Sequence, residues 1–118
     1  MDKLQSLNDL VDKPIDLYFY NQFLNQINKD LIRTGIDIQN LGQFSPKELH
    51  EEIQLLIKEL LSTDVKKLVA LFYLIDIPEK YLQQSLSTDV ITPSETISFL
   101  ILKREWQKVL TRIKYSQK

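Results

Sequence analysis

The 118-residue sequence contains no cysteine, only two glycines, four prolines and a single histidine. Without cysteine there is no disulfide framework, no thiolate zinc site and no cysteine nucleophile, and the chain fits a reducing compartment. Gly35 and Gly42 are the only glycines, too few for a turn-rich sheet protein. The longest unbroken apolar run, Leu68 to Ile75, is eight residues, against the roughly 20 a helix needs to cross a bilayer. Met1 is followed by Asp2-Lys3-Leu4-Gln5, which lacks the basic-then-apolar order of a secretory leader. These absences predict a soluble, cytoplasmic protein with no membrane span. Neither sign of charge dominates: the formal net charge is −1, which excludes strong global attraction to nucleic acid or anionic lipid.

Hydrophobic residues make up 43% of the chain and charged residues 26%. That is enough apolar material for one core in a chain of ordinary domain length. Leu, Ile, Lys, Gln and Glu are abundant, and apolar residues recur at spacings of three and four, never in a sustained alternation. The fold predicted is all-α, a compact single-domain bundle of five or six helices spanning residues 1–118, with no internal repeat or linker.

A short first helix is predicted from Asp2 to about Val11 and a second from about Asp16 to Ile32. The second carries a stripe of Tyr20, Phe23, Leu24, Ile27 and Leu31, and around it an uncharged polar surface of Asn21, Gln22, Asn25, Gln26 and Asn28. Tyr18, Phe19 and Tyr20 are rotated by about 100° each and cannot all face one core. Gly35 is a stop signal, and Ile36, Ile38, Leu41 and Phe44 are spaced to anchor the long loop that follows. Three capping-box spacings then start helices: Ser45-Pro46-Lys47-Glu48, Asp76-Ile77-Pro78-Glu79 and Thr92-Pro93-Ser94-Glu95. Ser62-Thr63-Asp64 separates the helix beginning at Pro46 from one over about Val65 to Ile75. That helix is apolar almost all round, which predicts that it is the central, buried one.

The chemistry-bearing residues are sparse. His50 stands beside Glu48, Glu51 and Glu52, and an imidazole among carboxylates suits a metal or a general base. Its neighbours lack the spacing of three or four that puts ligands on one helix face. The group is accounted for as a solvated first turn whose acids complement the helix dipole. Ser45, Ser62 and Ser94 stand at or near helix starts, where capping explains them. No nucleophile elbow, phosphate loop or paired-histidine helix motif occurs. Neither an enzyme, a cofactor nor a metal is expected.

The last helix carries two patterns. Lys103 to Lys118 holds six basic residues and one acid, a local charge of +5. Within it Arg104, Lys108 and Arg112, with Lys114, form a ridge suited to phosphate contact. Phe99, Leu102, Trp106, Val109 and Ile113 form a heptad-like stripe, which serves either the chain's own core or a partner interface anchored by Trp106.

Leu71-Phe72-Tyr73-Leu74-Ile75-Asp76-Ile77-Pro78-Glu79 and Ile101-Leu102-Lys103-Arg104-Glu105-Trp106-Gln107-Lys108 resemble small uncharacterised helical proteins of bacteria. The resemblance implies a bacterial cytoplasmic setting and carries no functional residue. The function expected is a non-enzymatic module that binds another protein or a second copy of itself through the last helix. The alternative is a nucleic-acid-binding module using the basic ridge.

Overall fold

The computed structural model describes residues 17–86 and 93–116. Among them are five α-helices, one short 3₁₀ turn and no strand. The helices are α1 (Leu17–Arg33), α2 (Pro46–Thr63), α3 (Val65–Leu74), α4 (Glu79–Leu86) and α5 (Pro93–Ser116). The all-α bundle therefore stands. The helix expected over Asp2 to Val11 and the cap at Thr92 lie outside the described residues.

The stripe of α1 is buried as its spacing requires: Tyr20, Phe23, Leu24, Ile27 and Leu31 all enter the core. Of the three consecutive aromatics, Tyr18 is exposed, Phe19 half-buried and Tyr20 buried. The Tyr20 hydroxyl donates to the Phe44 carbonyl at 2.7 Å. With Ile36 and Leu41 buried and Ile38 and Phe44 packed on the core, this bond holds the loop after α1 against the bundle. The exit from α1 is a Schellman turn. Gly35 has φ +80°, its N–H donates to the Ile32 carbonyl, and the Ile36 N–H donates to the Leu31 carbonyl at 2.9 Å.

α2 opens with the expected capping box. The Ser45 N–H donates to Glu48 Oε1 at 2.8 Å, and the Glu48 N–H donates to Ser45 Oγ at 3.3 Å. Asp64 closes α2 and caps α3, accepting from the Lys67 N–H. The second expected box does not form. Asp76 has φ 71° and occupies the left-handed position of another Schellman turn, with the Ile77 N–H donating to the Phe72 carbonyl at 2.8 Å. It terminates α3, and α4 starts later, at Glu79.

The central helix is α5, not α3. From Thr96 to Leu110 every residue of α5 is buried or half-buried, and the helix packs against α1, α2 and α4. α3 turns Leu68, Leu71 and Phe72 inward, followed by Ile75 just past its end. Its opposite side faces water: Ala70 is exposed, and Tyr73 is 87% exposed. Apolar composition identified a helix rich in core-type residues, but the neighbours cover only one side of it.

Candidate interaction surface

The expected stripe on α5 belongs largely to the chain's own core. Leu102, Val109 and Ile113 are buried, while Phe99 and Trp106 are half-buried. Trp106 meets Phe23 of α1 edge-on, ring centroids 5.0 Å apart. The Lys103 ammonium lies 5.6 Å from the centre of the Phe99 ring. Little of the stripe is left on the surface for a partner.

The basic ridge is bonded within the chain. Arg104 Nε donates to the Ile75 carbonyl at 2.9 Å, satisfying a backbone acceptor at the end of α3. Lys108 Nζ donates to Asp30 Oδ2 at 2.8 Å. Arg112 donates to Gln26 Oε1 at 2.6 Å and to Gln22 Oε1 at 3.4 Å. Lys114 is exposed.

Behind these contacts lies a buried polar cluster that sequence reasoning missed. Gln26, expected on the polar surface of α1, is buried and donates to Asp30 Oδ2 at 2.9 Å. Asp30 and Glu105 are each 1% exposed, and Lys108 Nζ lies 3.6 Å from Glu105 Oε1. Burial pushes the Glu105 carboxyl up to about 9, reinforced by the neighbouring Asp30 carboxyl, and Glu105 Oε1 is buried with no hydrogen-bond partner among the described residues. Burial acts upward on Asp30 as well, but the adjoining Glu105 carboxyl and the hydrogen bonds from Lys108 and Gln26 outweigh it and hold Asp30 below its ordinary value. Two buried carboxyl groups share the single ammonium of Lys108, and their opposite shifts separate their roles at neutral pH. Glu105 keeps the proton and Asp30 carries the charge that Lys108 balances. The only trace in the sequence is the spacing of Gln26 to Asp30 and of Glu105 to Lys108, four and three residues along their helices.

His50 is half-buried and meets Gln54 on the same face of α2. Burial lowers its pKa against the opposing influence of Glu95 and Glu51. Among the described residues, no three His, Asp or Glu side chains converge where a metal ion could sit.

The outer face of α3 is different in kind. Val65, Val69 and Tyr73 follow one another at intervals of four residues and form one ridge. Val65 is 43% exposed, Val69 half-buried, and Tyr73 is the most exposed large apolar side chain described. The ridge ends in an open groove of about 210 Å³ at the α3–α4 junction. Buried Phe72 and Ile77 line its inner side, and exposed Tyr73, Asp76, Pro78 and Glu79 stand at its edge.

Among the described residues no helix is long and apolar enough to cross a membrane. No protein-family model matches the sequence, and no curated protein or solved structure matches it significantly.

Proposed function

We propose that this chain is a non-enzymatic protein-interaction module that docks its partner on the outer face of α3. The observation that carries this reading is Tyr73, an aromatic ring 87% exposed on a helix whose polar side chains, Lys66 and Lys67, are confined to its first turn. An isolated exposed apolar residue is ordinary. A ridge of Val65, Val69 and Tyr73 continuing into a groove is the kind of patch that marks a docking surface. The last helix, first expected to supply the interface, supports the reading less well, because most of its stripe is core. The nucleic-acid alternative also has less support, because Arg104 and Lys108 are bonded to Ile75 and Asp30.

Affinity capture with the wild-type chain and Tyr73→Glu tests the proposal, with Lys114→Ala as an exposed control. The ring is nearly free of the fold, so Tyr73→Glu should melt like the wild type. A specific partner retained by wild type and Lys114→Ala but lost from Tyr73→Glu is the expected result. Identical recovery by all three chains overturns it.

A further inference from the structure

We infer that the occupant of this surface is a helical segment of another protein, with apolar side chains along the Val65–Val69–Tyr73 ridge and a lysine or arginine entering the groove beside Asp76 and Glu79. The inference rests on the interaction-module reading and adds the chemistry of the partner. The shape comes from the ridge, which runs straight along two turns, about 12 Å. A second helix with apolar residues four apart matches such a ridge.

The charge comes from what gathers at the groove. Asp76 is 88% exposed at its side chain, and its contact with Arg104 is long, 3.7 Å. Arg104 also donates through Nε to the Ile75 carbonyl, and its long, solvent-screened contact leaves the Asp76 carboxylate open to a second cation. Among the described residues no cation pairs with Glu79. The partial negative charge at the end of α3 and the partial positive charge at the start of α4 oppose each other here. That leaves the full charges of Asp76 and Glu79 to set the sign at the groove lining, and the Tyr73 ring presents a face to which a cation is attracted. An acidic partner would meet repulsion from the two lining carboxylates, whereas a basic side chain on an apolar helix finds both halves of its chemistry satisfied.

The test uses two synthetic amphipathic helical peptides with the same leucine stripe, one carrying lysines at the groove end and the other glutamates. Each is titrated into the isotope-labelled full chain and followed by amide chemical shifts. The lysine peptide should shift Val69, Tyr73, Ile77 and Glu79, and its affinity should fall as salt is raised. The double variant Asp76→Asn, Glu79→Gln should bind it about three- to tenfold more weakly, the loss of two rim charge pairs. Asparagine is chosen because it tolerates the left-handed backbone at this position. Tyr73→Ala should lose about thirtyfold as the central anchor.

Equal binding of both peptides, shifts confined to another face, or no binding by the lysine peptide overturns the inference. If those results accompany loss of a native partner from Tyr73→Glu, the docking reading survives and only the basic occupant falls. A concentration-dependent dimer, present in wild type and absent in Tyr73→Glu, makes the occupant a second copy and likewise overturns it.

Discussion

Lys108 on α5 and Asp30 on α1 meet at 2.8 Å across 78 residues of sequence. Asp30 is almost wholly buried, while the Lys108 side chain remains a quarter exposed. The lysine therefore keeps part of its hydration and still neutralises the carboxylate. Removing it leaves Asp30 charged and buried, with Gln26 as its remaining side-chain donor. Lys108→Met should therefore cost about 2–4 kcal/mol, toward the lower end for breaking a buried pair because the lysine is partly solvated. Denaturant titration at neutral pH measures it, and a loss below about 0.5 kcal/mol, the range of ordinary surface changes, contradicts the assignment.

Glu105 gives this cluster a pH dependence with a definite sign. Its carboxyl is held protonated up to about 9 in the folded chain, whereas an unfolded glutamate ionises near its ordinary value of about 4.3. Between those values the folded chain holds the extra proton, so its stability falls as pH rises. Asp30, with a lowered value, acts oppositely, and its contribution is lost on acidification. His50, also lowered, adds stability that disappears as pH drops below about 6.5. From about pH 7 to about pH 9 only Glu105 of these three titrates, and the slope there approaches 1.4 kcal/mol per pH unit. Glu105→Gln keeps a neutral side chain of similar shape, so it should flatten this limb and stabilise the chain at neutral pH by up to about 3–4 kcal/mol, the ionisation free energy of the unfolded glutamate that the variant lacks. Melts at several pH values compare the two chains.

How far the fold can be read from the sequence depends on which residues carry the signal. Ser45 and Glu48 announced their helix start because a capping box is local chemistry. Gly35 announced its stop for the same reason. Asp76-Ile77-Pro78-Glu79 has the same spacing, yet there the Schellman turn closing α3 claims Asp76 first. α3 was assigned to the centre on its composition, and composition does not say which neighbours arrive. The central place of α5 is hidden in the sequence, because Lys103, Arg104 and Lys108 look like a solvated face although all three are half-buried. In the fold Arg104 bonds the Ile75 carbonyl and Lys108 bonds Asp30. The α3–α4 groove was illegible, since it is made by the exposure of one helix and the turn that follows it.

Asp76 offers a separable test of backbone and surface roles. A non-glycine residue at φ 71° carries a conformational cost that glycine avoids. Asp76→Gly should stabilise the chain by about 0.5–1 kcal/mol, since an exposed contact at 3.7 Å contributes little. The same change removes a groove carboxylate and should weaken binding of a basic partner. Gly35→Ala is the converse: at φ +80° it should destabilise by about 1 kcal/mol. Thermal melts of both variants decide the signs.

Trp106 and Tyr73 make opposite predictions, and together they separate packing from docking. Trp106 is half-buried on α5, with its ring edge-on to Phe23 at 5.0 Å. Trp106→Ala should therefore cost about 2–4 kcal/mol, around the lower end of the range for a buried aromatic. Trp106→Phe keeps an aromatic ring against Phe23 and should recover a large part of that loss. Tyr73→Ala should leave the melting temperature within about 2 °C, because little of its surface is buried in the fold. For binding the order reverses: under conditions where Trp106→Phe remains folded, it should dock the partner like the wild type, while Tyr73→Ala should not. A Trp106→Phe chain that stays folded but loses the partner would return the interface to the stripe on α5, as the sequence first suggested.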